Sequence, residues 1–141
     1  MAETMDDALA DLADTFEVLG DWEQRYRFLI DLGRELEPLP DEDHVDANKV
    51  RGCASQVWIT TSREGDGTLH FRADSDAHIV KGLIAVLLKL YSGRTPQAIA
   101  AFDAQAAMAK LGLPEALSSQ RANGLNAMIE RIRAEARAAT S

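Results

Sequence analysis

Cys53 is the only cysteine of the 141-residue chain. It stands in VRGCASQVW, residues 50–58. A lone thiol can be a small buried hydrophobe, because free cysteine is among the most buried residue types. It can also be a nucleophile. At an unperturbed pKa of about 8.5, about 3% is thiolate at pH 7, and lowering the pKa by one unit raises that to about a quarter. Residues two apart share a face in an extended segment, so Lys49, Arg51 and Cys53 are expected to point the same way. Cations beside the sulfur would supply such a shift. Gly52, Ala54 and Ser55 leave the sulfur uncrowded. Residue chemistry alone leaves packing and reactivity equally open. One cysteine excludes an internal disulfide and fits a reducing compartment.

The other chemistry-bearing residues are scattered. His44, His70 and His78 lack zinc-ligand spacing, and one cysteine does not complete it. A Cys–His pair needs only spatial adjacency, but His70 reads as the outer face of a strand and His78 as a first-turn helix residue. Asp74 and Asp76 read as helix caps rather than a carboxylate pair. Arg121 falls in the first turn of the last helix, where a cation opposes the macrodipole. A surface-contact role and an ordinary exposed arginine fit it equally. Trp22 and Trp58 read as core, and no Gly-rich phosphate loop is present.

The elements that position these residues follow from periodicity. Leu9, Leu12, Phe16 and Leu19 recur at helical spacing, which predicts a helix over about Met5–Leu19. Gly20 ends it, and Asp21 caps a second helix with Trp22, Tyr26, Leu29, Ile30 and Gly33 on one stripe. EPLPDEDHVDANK is irregular. QVWITTSREGDGTLHFRAD then reads as two strands around an EGDG turn. A short strand at Asn48–Gly52 is expected as a third, making a small antiparallel sheet that needs helices on one face. DSDAHIVKGLIAVLLKLYSG predicts a central buried helix, with Asp74, Ser75 and Asp76 offering N-caps and Gly93 closing it. Gly82 costs that helix about 1 kcal/mol relative to alanine, so another segment should approach there. The cysteine loop is the segment expected. Thr95-Pro96 opens a short helix, and Phe102-Asp103 opens another that ends near Gly112. Pro114 lies in a connection, and Ser118 or Ser119 caps a last helix bearing Leu125, Met128, Ile129 and Ile132. The expectation is one α+β domain over residues 1–141, with a three-stranded sheet packed against helices.

Net charge is −8, whereas nucleic-acid binders show a basic footprint. Residues 1–47 hold 15 acids and 3 bases, and residues 48–141 hold 8 acids and 12 bases. The cysteine therefore lies in the basic part of a charge dipole that a docking partner could sense. A solvated acidic helix face is the plainer reading. The start, MAETMDDALADL, lacks a basic n-region and a long apolar run. No stretch of about 20 apolar residues would span a membrane, so a cytoplasmic protein is expected.

Four blocks carry a resemblance. NKVRGCASQVW resembles the cysteine-loop motif of SufE-type sulfur-acceptor proteins, and DWEQRYRFLIDLGREL looks like that family's second helix. DSDAHIVKGLIAVLLKLYSGRTPQAI is similar to its central helix and following turn, and LSSQRANGLNAMIERIRA to its last helix. The blocks fall in order over residues 16–137. Ala54 departs from the larger polar residue often found there. The resemblance implies a SufE/IscU-like α+β fold and an accessory protein that is not an enzyme on its own. It would accept persulfide sulfur from a SufS-type cysteine desulfurase, enhance that desulfurase, and deliver sulfur to a SufBCD-type iron–sulfur scaffold. Pyridoxal phosphate would belong to the partner, with no cofactor or metal on this chain. Cys53 would carry the persulfide, and Asn48, Gly52, Ser55 and Gln56 would shape its loop. Arg51 belongs to the same loop, while Asp76 and Arg121 would serve the loop and the partner contact. A non-catalytic regulator of a desulfurase is the alternative, and a homodimer is left open.

Overall fold

The computed structural model describes residues 4–140. Its helices α1 (Met5–Leu19) and α2 (Trp22–Arg34) are followed by 3-10 turns at Asp41–Asp43 and Asp46–Asn48. The hairpin strands β1 (Val57–Arg63) and β2 (Leu69–Ser75) come next. Then follow α3 (His78–Tyr91), α4 (Pro96–Ala101), α5 (Ala104–Lys110), α6 (Leu113–Ala116) and α7 (Ser119–Thr140).

Local chemistry sets the helix starts. Thr4 and Asp7 form a reciprocal capping box on α1, with Thr4 Oγ1 accepting from the Asp7 amide at 3.0 Å. Asp21 accepts from the Gln24 amide at 2.9 Å and starts α2 directly after Gly20. Thr95 and Asp103 cap α4 and α5 in the same way. α3 is buried on most of its circumference, from Val80 through Leu83–Leu87 to Leu90 and Tyr91, and so forms the axis on which the other elements pack.

The crossing of α2 over α3 explains the glycines at 33 and 82. A Cβ on Gly82 would lie 2.3 Å from the Leu29 carbonyl oxygen, and one on Gly33 would lie 2.7 Å from the Gly82 amide nitrogen. The approach expected at Gly82 is therefore made by α2, and the cysteine loop packs elsewhere.

β1 and β2 pair antiparallel, in register from Val57 opposite Ser75 to Arg63 opposite Leu69. Val57, Ile59, Leu69, Phe71 and Ala73 are buried on the inner face, as alternation requires. Among the described residues the sheet has two strands, not three. The expected strand at Asn48–Gly52 shrinks to one bridge, Lys49 opposite Trp58, with the Val50 amide donating to the Val57 carbonyl at 2.8 Å. Asn48 is still inside a 3-10 turn, and Gly52 at φ +91° turns the chain away. Only Gly freely adopts that conformation.

Two further expectations change. β2 continues through Ser75, so Asp74, Ser75 and Asp76 do not cap α3; its N-cap is Ala77, without a side-chain bond. Pro114 lies inside the short helix α6 rather than in a connection, a position early in a helix that needs no amide donor.

Candidate functional site

Cys53 sits on a flap formed by residues 51–56, pinched at its base by the Val50–Val57 hydrogen bond. α7 is the surface that receives it. Ser118 Oγ accepts from the Arg121 amide at 3.3 Å and starts that helix. Two small residues, Gly124 and Ala127, then face the flap. A Cβ on Gly124 would meet Cys53 Sγ at 3.7 Å, and one on Gly52 would meet the Ala127 methyl at 3.4 Å. Side chains larger than alanine at 124 or 127 would lift the flap. Sγ donates to the Gly124 carbonyl at 3.5 Å. Beside it lies a cleft of about 140 Å³ floored by Val80, Leu83, Leu125 and Met128, with Arg121 on its lining.

This seat determines the thiol's resting state. Cys53 is half-buried, and burial pushes its pKa up without an opposing cation. A carbonyl acceptor also favours the protonated thiol, which can donate, over the thiolate, which cannot. The same-face expectation for Lys49, Arg51 and Cys53 fails because the chain turns at 51–52. Lys49 instead pairs opposite Trp58, and Arg51 is exposed.

Both ends of the flap are tied. On the exit side, Gln56 and Asp76 bond reciprocally. The Gln56 amide donates to Asp76 Oδ1 at 3.0 Å, and the Asp76 amide donates to the Gln56 carbonyl at 3.3 Å. On the entry side, Asn48 Nδ2 donates to the Asp43 carbonyl at 2.9 Å. Arg131 of α7 donates to the carbonyls of Ala47 at 3.0 Å and Lys49 at 3.1 Å. Its Nε donates to Glu135 at 3.0 Å.

The incoming segment is also anchored by His44. Its Nε2 lies 2.7 Å from Asp74 Oδ2, its Nδ1 lies 3.0 Å from the Pro40 carbonyl, and its ring packs edge-on to Trp58 at 4.8 Å. Both ring nitrogens face acceptors, so the imidazolium satisfies both. The Asp74 hydrogen bond is the main cause of the raised His44 pKa.

Of the residues singled out in the sequence, Cys53, Ser55 and Arg121 share the cleft. Gly52 supplies the turn, and Gln56 and Asp76 hold the exit. Asn48 ties the entry segment from a distance, and Arg51 points to solvent. His70 bonds Glu37 at 2.8 Å on the sheet's outer face, away from Cys53. Among the described residues no group of three or more His, Cys, Asp or Glu side chains could hold a metal ion. Sequence reasoning missed Gly124 and Arg131. Gly124 carried the same signal as Gly82, a glycine inside a helix. Arg131 carried none, because its partners are backbone carbonyls from a distant segment.

A helix-backed hairpin, followed by helices and carrying a single half-buried thiol on a flap against α7, defines an α+β protein. The chain belongs to the SufE family: the family model described as SufE, Fe-S metabolism associated domain, matches residues 10–136. An uncharacterized SufE-like protein of Rhizobium etli is 50% identical over 133 residues, covering 92% of this chain and 90% of the relative. Another from Rhizobium meliloti is 48% identical over 132 residues, covering 92% of this chain and 94% of the relative. The solution structure of a hypothetical protein from Thermus thermophilus superposes with a TM-score of 0.78 at 25% identity, covering 95% of this chain and 97% of that one. No described helix is long and apolar enough to cross a membrane.

Proposed function

We propose that this protein is a sulfur acceptor in iron–sulfur metabolism, with Cys53 as the receiving atom. The observation that carries the reading is the seat of the chain's only thiol, on a flap over Gly124 within the family-matched segment. The supplier is a SufS-type cysteine desulfurase that holds sulfur as a persulfide and carries its own pyridoxal phosphate. The Cys53 thiolate attacks the outer sulfur of that persulfide. A new S–S bond forms on Cys53, the partner's S–S bond breaks, and the partner's thiolate leaves, with no net oxidation. The chain is then a carrier and activator rather than an enzyme on its own, and it hands the sulfur to a SufBCD-type scaffold.

The resting seat suits this task. The neutral, half-buried thiol is protected from oxidants that prefer exposed thiolates, and the cleft beside it, apolar at its floor and polar where Ser55, Gln120 and Arg121 line it, shelters a bound sulfur atom. Docking must lift the flap to expose Sγ. Exposed Arg51 and Arg121, with Asp76 holding the flap exit, are the contacts proposed for the partner.

One observation favours a second reading. Burial pushes the thiol's pKa up, as it would in a regulator whose cysteine is incidental. Sulfide release by a desulfurase distinguishes the two. A carrier with Cys53→Ser loses all enhancement, and a regulator with Cys53→Ser keeps it.

A further inference from the structure

Resting on the reading of Cys53 as the sulfur-accepting atom, we propose that Arg131 is the positioning residue of the flap. It clamps the segment entering the flap onto α7, and so sets how far Cys53 is sheltered.

The geometry is a fork. Nη1 and Nη2 of Arg131 donate to two carbonyls of the same segment, Lys49 at 3.1 Å and Ala47 at 3.0 Å. Nε is braced by Glu135, one turn along α7, at 3.0 Å. A planar guanidinium suits such two-point recognition, which an ammonium cannot reproduce. Charge-assisted bonds of this kind are roughly twice as strong as neutral ones. Arg131 and Glu135 are about a quarter and a third exposed, at 24% and 32%, so the brace is partly shielded from solvent.

The position of the fork gives it leverage. Lys49 is also the residue bridged to Trp58, next to the Val50–Val57 pinch that closes the flap base. Arg131 therefore holds the base, while Gly124, almost two turns earlier on the same helix, receives the tip. The side-chain hydrogen bond that holds the tip to α7 is the weak one from Sγ to Gly124. Apart from the clamp, this side of the fold is joined to α7 by the packing of Gly52 on Ala127 and, at the far end of β1, by the Arg63 bond to the Ala139 carbonyl at 2.9 Å. The exit tie at Gln56–Asp76 joins the flap to the start of α3, not to α7. Releasing the fork lets the base move off α7, hydrates Sγ and returns its ionisation toward that of an ordinary thiol.

Alkylation of Cys53 by iodoacetamide in the free, full-length protein, followed from pH 6 to 10, tests this without a desulfurase. Arg131→Ala should label several-fold faster at pH 7 and shift the rate midpoint down, the direction expected when burial is relieved. Arg131→Lys, which can still reach one carbonyl, should restore part of the protection. Glu135→Ala should move the profile the same way by less. A folded Arg131→Ala protein with wild-type rate and midpoint overturns the proposal. If Arg131→Ala does not fold, wild-type profiles for both Arg131→Lys and Glu135→Ala overturn it. An unchanged profile together with normal sulfur loading rejects the clamp alone. A released flap in a protein that never accepts sulfur rejects the carrier reading alone.

Discussion

Replacing Gly82 and Gly124 by alanine should change stability in opposite directions. Both are buried glycines in helix interiors, so each substitution gains up to about 1 kcal/mol of helix propensity. The surroundings decide the net sign. At Gly82 the new Cβ would lie 2.3 Å from the Leu29 carbonyl oxygen and 2.6 Å from its carbonyl carbon. Backbone of a packed helix cannot swing aside as a side chain can, so α2 and α3 must separate by about 1 Å to regain ordinary contact. Overpacking against backbone falls in the upper part of the usual range, about 2–3 kcal/mol, and the separation also loosens the Gly33 contact on the facing helix. Gly82→Ala is therefore expected to lose about 1–2 kcal/mol net. At Gly124 the nearest atom would be Cys53 Sγ at 3.7 Å, an ordinary contact, so Gly124→Ala should gain up to about 1 kcal/mol. Urea unfolding of both variants and the parent, followed by far-UV circular dichroism, measures the difference. A Gly82→Ala protein as stable as the parent would refute the reasoning. A Gly124→Ala protein destabilised by more than about 1 kcal/mol would show that the seat of Cys53 is tighter than the geometry states.

The His44–Asp74 contact should stabilise the fold within a defined pH window. The His44 pKa is raised, first by its hydrogen bond to Asp74, so its contribution is full below the unfolded value of about 6.5 and is lost as pH rises through the folded value. Burial works to raise the Asp74 pKa, but bonds from His44, the Ser75 backbone and Lys81 outweigh it and leave it lowered. That contribution is full above about pH 4 and is lost as pH falls through the folded value. His44→Ala should therefore cost most between about pH 4 and 6.5, by up to about 1 kcal/mol for a partly exposed pair; a Tm deficit that does not vary with pH contradicts this. Tyr91 is fully buried, its hydroxyl has no hydrogen-bond partner among the described residues, and burial pushes its pKa up to about 12. Removing an unsatisfied buried hydroxyl is neutral or favourable, so Tyr91→Phe should leave the urea midpoint unchanged or higher, and a loss above about 1 kcal/mol would mean the hydroxyl is satisfied.

Helix positions were legible in the sequence because their causes are local. The spacing of Leu12 and Phe16, the capping side chain of Asp21 and the Thr95-Pro96 start each act within a turn or two. The alternation that buries Ile59 and Phe71 is local in the same way. The third strand failed because pattern alone did not reveal that Asn48 is tied into a 3-10 turn while Gly52 reverses the chain. The α3 cap failed because Asp74, Ser75 and Asp76 had longer-range uses. β2 runs through Ser75, His44 and Lys81 take Asp74, and Gln56 takes Asp76. Gly82 correctly signalled a close approach, but a single chain does not say which segment approaches. The cysteine was plain in the sequence, whereas its sheltered state was not. Lys49 and Arg51 beside it suggested activation, and only the fold reveals that α7 buries the sulfur instead.

The most direct test of the central claim is the intact mass of the protein after mixing with a SufS-type desulfurase and cysteine, without reductant. Sulfur transfer to Cys53 predicts a species heavier by about 32 mass units per sulfur atom, the signature of a persulfide. The adduct should disappear on reduction and be absent in Cys53→Ser. An unmodified wild-type protein under conditions in which the desulfurase itself carries persulfide, or the same adduct on Cys53→Ser, would contradict the account.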